Sequence, residues 1–323
     1  MEDFLNKICI VIASHISNSK RVNYLLECLN SLVNQTTQIC IYLSISFEKE
    51  EFKEALLLSI MKNEAKFNKL SIYIREKKTP QMRHIYSLLP ELEKKHEWIM
   101  FCDDDDTYEQ NRVEIIAKNI YVGDLQCREK YNKKLAGLYE STFGKDHREH
   151  RHEYWCYCVS LEVMRNFYNK LRNYPDIIDN KCCDVLFAEH LRRMDPNNYL
   201  YCRLEDKLYN YRVEDNSDSI TGFIKGNQHK YTRLNNPPPI TDPNFADYVV
   251  DWNECLYENM DVYIHDVFLR TIVGCNLEYI LRSEFRADCD ILSFVDECHV
   301  KKITDHHEYL RKVCNELYDI PFS

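Results

Sequence analysis

The sequence predicts an α/β protein: a mostly parallel, Rossmann-like sheet flanked by helices, with a helical extension at the C-terminus. Short apolar runs alternate with amphipathic stretches four times within about the first 120 residues. That alternation marks a parallel sheet whose crossovers are helices. The runs are also continuously apolar, as strands buried on both faces must be. The extension rests on a third observation. Asn235-Asn236-Pro237-Pro238-Pro239 cannot continue a helix or a central strand. Beyond it Val262, Ile264, Val267, Phe268 and Ile272 recur at helical spacing. The expected organisation is a domain over residues 1–225, a Pro-rich linker over 226–245 and a helical subdomain over 246–323.

Residues 8–13 read as the first buried strand. Val22, Leu25, Leu26, Leu29, Leu32 and Val33 then mark one face of a helix. Residues 39–45 are a second strand, 50–67 are helical by composition, and 70–74 are a third strand. Pro80 sets the start of a helix over 81–95. Residues 98–102, Trp-Ile-Met-Phe-Cys, form the fourth strand and run into Asp103 to Asp106. A helix over 112–120 follows, and Thr107-x-x-Gln110 fits a capping box at its start. The next part is less regular: strands over 135–140 and 154–159, helices over 161–173 and 184–194, and short strands over 199–203 and 207–211.

Bulk properties exclude several classes. Six glycines and no G-x-G-x-x-G or Walker pattern argue against a Gly-rich phosphate loop. A formal charge of −10 disfavours nucleic acid as a partner. The sequence shows no signal peptide and no run of transmembrane length, so its 15 cysteines read as reduced thiols in a soluble, cytoplasmic protein. Cys156-x-Cys158 and Cys182-Cys183 lack zinc-ribbon spacing. His147, His150 and His152 lie among acids at a spacing that fits no helix face or hairpin pair, and residues 146–153 read as a charged loop.

Four carboxylates on one turn repel one another and need a positive partner, and a divalent cation serves. At the carboxyl end of a strand in an α/β sheet such an ion sits where these folds bind ligands. The plainer reading is a solvated loop with Asp106 or Thr107 capping the next helix.

The order of features resembles the GT-A glycosyltransferases, family 2 type, over roughly residues 6–222. The resemblance rests first on Ile10-Val11-Ile12-Ala13-Ser14-His15, with Leu25, Leu29-Asn30-Ser31-Leu32 and Gln35-Thr36. Gln81-Met82-Arg83-His84 is similar to the family's Ala-Arg-Asn helix start, and residues 101–108 fit its Asp-x-Asp-Asp-x-aromatic pattern. Cys183-Asp184 stands where the family has Glu-Asp. Leu208-Tyr209-Asn210-Tyr211-Arg212 with Asn216-Ser217 lies near its Tyr-Arg and Ser positions. Two departures stand out. The second strand ends Ser44-Ile45-Ser46-Phe47-Glu48 without Asp-Asp-Gly, and no histidine follows Tyr211-Arg212, where Glu214 and Asp215 stand instead.

The resemblance implies a glycosyltransferase that moves a sugar from a nucleotide-sugar donor, expected to be UDP-linked, to a glycan or other hydroxyl acceptor with inversion. It implies Mn2+ or Mg2+ held by Asp103, Asp105 and Asp106, with Glu214 or Asp215 as a further carboxylate. Asp184 is then the general base, its alternative being a helix N-cap. Ser14, His15, Glu48, Arg83, Asp104 and Arg212 fall on the donor side. Arg83 and Arg212 either grip phosphate or make structural ion pairs, and His15 either stacks on a base or caps the turn. Trp155 and its tyrosine neighbours either floor an acceptor sugar or pack in the core. Two readings from other classes remain: a nucleotidyltransferase-like enzyme, and a non-catalytic binding protein that keeps the fold.

Overall fold

A computed structural model of the chain describes residues 2–140, 153–212, 238–283 and 295–322. The chain divides into two compact units, Met1–Arg212 and Val213–Ser323.

The first unit opens with the short α1 (Glu2–Leu5) and the strand β1 (Ile8–Ile16). Helix α2 (Ser19–Val33) follows, then β2 (Cys40–Phe47), α3 (Glu50–Met61), β3 (Leu70–Arg75), α4 (Gln81–Leu92) and β4 (Trp98–Asp103). Strands β1 to β4 pair in parallel in the order β3-β2-β1-β4. The chain thus runs outward from β1 to β3, then returns to place β4 on the other flank of β1. The carboxyl ends of β1 and β4 therefore flank the topological switch point, where open α/β sheets bind ligands. Register sets Ala13 of β1 against Asp103 of β4. Burial explains why these strands form: Ile8, Ile10, Ile12, Ile99, Met100 and Phe101 are inaccessible to solvent.

The second half adds β5 (Thr107–Tyr108), α5 (Arg112–Gln126), β6 (Lys134–Glu140), β7 (Tyr157–Ser160), α6 (Leu161–Lys170), α7 (Pro175–Ile178), α8 (Cys183–Arg192), β8 (Tyr199–Leu204) and β9 (Tyr209–Asn210). The seven-stranded sheet has the order β3-β2-β1-β4-β7-β6-β8, with β7 antiparallel to both neighbours and β6 parallel to β8. A mostly parallel sheet flanked by helices is thus observed, as expected. Gly137 in β6 lies so close to β7 that a Cβ there would stand 2.2 Å from the Cys158 carbonyl oxygen.

Three local expectations change. The capping box at Thr107 does not form, because Thr107 and Tyr108 pair with Asn210 and Tyr209 and the N-cap of α5 is Asn111. Residues 154–156 form a 3-10 turn instead of opening a strand, and pairing begins at Tyr157. The expected strand over 207–211 shortens to Tyr209–Asn210.

The second unit is helical where it is described, with α9 (Phe245–Glu258), α10 (Met260–Ile272), α11 (Leu277–Ser283) and α12 (Glu297–Leu317). Its core gathers Trp252, Leu256, Tyr263, Val267, Ile280 and Ile303. Helix α10 ends where Gly274 takes φ 104°, with Cys275 N–H donating to Arg270 O and Gly274 N–H to Thr271 O, both at 3.0 Å. That is a Schellman stop, and the left-handed residue in it favours glycine. The His147–His152 loop, Glu214, Asp215, Asn216, Ser217 and most of the expected linker lie outside the described residues.

Candidate active site

The four aspartates bridge the end of β4 and the start of β5, at the switch point. They are not splayed into water: Asp104 and Asp106 are buried, and the side chain of Asp105 is 15% exposed. Their partners come from distant parts of the chain and differ from one carboxylate to the next.

Asp103 Oδ1 accepts from Gln81 Nε2 at 2.8 Å and from the Tyr154 hydroxyl, while Gln81 and Tyr154 also bond each other at 2.6 Å. Its second oxygen has no partner among the described residues. Asp104 accepts from Ser14 Oγ at 2.5 Å and from Arg21 Nη2 at 2.6 Å. Both oxygens of Asp106 are engaged, one by the Tyr209 hydroxyl and one by the Arg212 backbone N–H, each at 2.7 Å. Tyr209 also accepts from the Asp103 backbone N–H at 3.0 Å, so one phenol ties the two ends of the loop. Asp105 differs: its carboxylate meets only Arg21 Nη1 among the described residues, at 3.6 Å. That is beyond hydrogen-bond length.

The electrostatics follow from this crowding. Burial, and then the charge of Asp106, push the Asp103 carboxyl well above the usual carboxylate range. The Tyr154 bond opposes that rise, whereas Asp105 and Asp184 add to it. Asp106 is pushed up to about 7, mainly by burial, against the lowering bonds from Arg212 and Tyr209. Asp104 rises through burial despite Arg21. These are oxygen donors whose mutual repulsion a hard divalent ion would relieve, and the underused oxygens of Asp103 and Asp105 are the ones open to it. Two carboxylates completed by substrate phosphates and water are an ordinary magnesium-type site. The residues therefore fit such an ion.

Another cluster brings potential ligand atoms together: Asp296, Cys298 and His299, all within 4.8 Å of one another. Asp296 is the N-cap of α12 and accepts from Cys298 N–H at 2.9 Å, while His299 Nε2 meets the Asn253 carbonyl at 3.2 Å. This is the positive end of a helix dipole, an unfavourable place for a cation.

The other expected residues divide into two groups. Ser14 and His15 end β1 beside the acid loop, and His15 contacts Ser46 Oγ at 2.9 Å and Glu48 Oε2 at 3.2 Å at the end of β2. Burial, then Lys78, lower the His15 pKa, so the ring is held towards its neutral form. Asp184 lies in the first turn of α8 and is not its N-cap, which is Cys182. Its charge acts on both Asp103 and Tyr154, which puts it on the same side as the acid loop. Arg83 is tied elsewhere: it grips Asp179 with Nε at 2.7 Å and Nη2 at 3.0 Å, and Nη2 also donates to Pro175 O. Arg212 pairs with Glu27, donates from Nε to the Asp105 carbonyl at 2.7 Å and lies 4.2 Å over the Tyr24 ring.

The sequence gives no sign that Arg21 builds the site, offers Gln81 only as part of a motif and Tyr154 only as a neighbour in an aromatic floor. Arg21 follows the N-cap Asn18, whose side chain accepts from its backbone N–H at 3.1 Å, so the first turn of α2 delivers its guanidinium to the loop. The one signal near it is the basic pair Lys20-Arg21 shortly after the first apolar strand. Trp155 stacks on Tyr209 at 4.2 Å and on Tyr211 at 5.4 Å, and Tyr211 is 48% exposed. The acid loop raises the Tyr211 pKa after burial does, so this aromatic face borders the carboxylates.

No protein-family model matches the chain, and no curated protein does. Among solved structures, S. aureus TarS is similar at 16% identity, covering 97% of this chain and 54% of that one, with a TM-score of 0.47. This chain thus spans about half the length of TarS. The 1–349 portion of S. aureus TarS in complex with UDP matches at 16% identity over 97% and 89% of the two chains, with a TM-score of 0.45. A mannosyltransferase, PcManGT from Pyrobaculum calidifontis in complex with GDP-Man and Mn2+, matches at 10% identity over 96% and 86%, also with a TM-score of 0.45.

Proposed function

We propose that the chain transfers a sugar from a nucleotide-sugar donor, UDP-linked by expectation, to an acceptor hydroxyl, with a divalent cation at the acid loop. The observation that carries this reading is the uneven satisfaction of four adjacent carboxylates at the switch point. Asp104 and Asp106 are held by short protein bonds. Among the described residues Asp105 and the second oxygen of Asp103 are not, and on this reading they are the oxygens that a cation and a diphosphate would use.

Asp105 and Asp103 would hold the ion, and Asp106 braces the loop through Tyr209 and Arg212. When bound, Mn2+ or Mg2+ supplies charge neutralisation to the departing diphosphate. Gln81 and Tyr154 keep the Asp103 carboxylate oriented for that contact. Asp184 accepts the acceptor hydroxyl's proton as that oxygen attacks the anomeric carbon. One C–O bond forms to the acceptor and one breaks to the diphosphate, which leaves with the electron pair. A single in-line displacement inverts the anomeric configuration. His15, Ser46 and Glu48, joined at the ends of β1 and β2, receive the nucleoside. The Trp155–Tyr211 face offers the acceptor ring an aromatic floor.

The test is a melting experiment followed by a donor screen. Mn2+ and UDP together raise the melting temperature more than either alone, because ligands of the native state stabilise it. With Mn2+ present, one nucleotide sugar is slowly hydrolysed. No shift with any nucleotide diphosphate, and no hydrolysis of any donor, would return the chain to the class of non-catalytic proteins.

A further inference from the structure

The second unit holds a cluster that the transferase reading does not use, and its donors differ in kind from those of the acid loop. At the start of α12, Asp296, Cys298 and His299 bring a carboxylate oxygen, a sulfur and a ring nitrogen within 4.8 Å of one another. His299 is 5% exposed, and its Nε2 lies 3.2 Å from the Asn253 carbonyl oxygen. A carbonyl only accepts, so Nε2 carries the proton and Nδ1 of the neutral ring keeps a bare lone pair. The one polar contact of Nδ1 among the described residues is Cys298 Sγ, at 3.7 Å. Sulfur and nitrogen bound to one zinc ion at a tetrahedral angle stand about 3.5 Å apart, close to that separation. Asp296 accepts from Cys298 N–H with Oδ1 at 2.9 Å, and its Oδ2 has no partner among the described residues. Asn253 also accepts from Asp296 N–H at 2.9 Å, so α9 holds the cluster by two bonds. Asp296 and Cys298 are exposed, which leaves the group open to ions from solution.

We propose that Asp296, Cys298 and His299 form a site for a zinc-class transition-metal ion, with water in the fourth position. The inference stands apart from the transferase reading. Donor chemistry sorts the ions: thiolate and imidazole suit zinc-class metals, whereas the all-oxygen acid loop suits magnesium and manganese. The positive end of a helix dipole opposes a bare cation. Here the thiolate and the carboxylate bring two negative charges, so a bound divalent ion adds no net charge to the helix end, and the same dipole favours the thiolate. On binding, the Cys298 thiol releases its proton to solvent, and Sγ, His299 Nδ1 and Asp296 Oδ2 each give a lone pair to the ion. No oxidation is involved. The Asn253 carbonyl orients the ring as the outer partner of a metal-ligating histidine does. The bound ion fastens the first turn of α12, and through His299 it strengthens the tie to α9.

The test titrates Co2+ into the full chain with Mg2+ in excess and reads the absorbance. One equivalent of Co2+ gives a near-ultraviolet sulfur-to-cobalt charge-transfer band and the strong visible bands of a four-coordinate ion. Zn2+ abolishes both and raises the melting temperature. Cys298→Ser removes the charge-transfer band. Asp296→Asn keeps a good N-cap, and so the fold, but weakens Co2+ and Zn2+ by about tenfold or more, since loss of even an outer-shell partner costs about that much. His299→Gln weakens them likewise; should it fail to fold, Asp296→Asn decides alone. A band that survives in Cys298→Ser overturns the site. So does a band lost in Cys298→Ser while the Asp296 and His299 variants bind like wild type, because the exposed thiol then acts by itself. Wild-type protein that shows no band, or whose Zn2+ is displaced by excess Mg2+, overturns it too.

Discussion

Two of the arginine–carboxylate centres in the first unit are built on opposite plans. Arg112 and Glu140 are both essentially inaccessible and form an ion pair. Glu140 also accepts from Leu208 N–H at 2.9 Å, and the Arg112 guanidinium lies 3.9 Å over the Tyr108 ring and 5.0 Å from that of Tyr209. Arg21 and the acid loop form the second centre, in which one guanidinium meets both Asp104 and Asp105 and the contact to Asp105 is long. The first centre is closed by one acid, one base and aromatic walls. The second, among the described residues, sets more carboxylates than cations at the carboxyl end of the sheet. A buried charge paired within the protein is costly to uncouple, and on the proposed reading the carboxylate without a short bond among the described residues is the one offered to a ligand.

The largest expected effect tests the closed centre. Arg112→Ala leaves Glu140 charged and buried without its partner, which costs about 3–5 kcal/mol. Urea unfolding of this variant beside wild type measures it, and a loss below about 1 kcal/mol would mean the centre is wetter than it looks. Next comes the open centre. Asp105→Ala lowers transfer or donor hydrolysis by on the order of a hundredfold. Its stability stays near wild type or rises, because a repelling charge leaves and no short bond is broken. Activity within a few-fold of wild type would remove Asp105 from the cation site.

Tyr209 joins the two centres, with its ring near Arg112 and its hydroxyl between Asp103 and Asp106. Tyr209→Phe keeps the ring and deletes the hydroxyl, for an expected cost of about 1–3 kcal/mol. It should also weaken Mn2+-dependent UDP binding, because the loop loses its tie; unchanged binding would confine Tyr209 to packing.

The smallest net effect is on pH dependence. Burial, then Arg75 and His15, lower the His84 pKa to about 4. The unfolded chain therefore binds the extra proton between about pH 6.5 and pH 4, and this contribution to stability is full above 6.5 and lost as pH falls towards 4. Asp106 acts with the opposite sign. Its carboxyl is raised to about 7, so the folded state holds the extra proton and its contribution fades as pH rises from about 4 through 7. The two partly cancel over the same window. Asp106→Asn removes one of them, so its stability should fall more steeply than wild type on acidification from pH 6.5; a parallel profile would contradict the buried placement of Asp106.

Much of this was legible in the sequence, for a local reason. Strands such as residues 8–13 and 98–102 announce themselves because burial on two faces demands an unbroken apolar run. The acid loop was legible because its four members are consecutive. Its partners were not. Arg21 reaches Asp104 across 83 residues and Tyr209 reaches Asp103 across 106, and no periodicity carries information over such spans. Thr107 shows the converse error: a sound local capping signal lost to a two-residue ladder with β9. Asp184, whose alternative reading is a helix cap, is instead the second residue of α8, two positions past the N-cap Cys182 and within the span that spacing alone leaves open. Arg83, offered to phosphate by its place in a motif, is forked onto Asp179.

By itself the sequence determined the alternation of strands and helices, the helical C-terminal unit, and the run of carboxylates at the end of β4, since each depends on neighbours within a turn or two. Only the tertiary structure decided which of those carboxylates are held by short bonds among the described residues. Hydrogen bonds at the switch point are made by side chains from α2, α4, the 3-10 turn and β9, and those meet nowhere except in the folded chain.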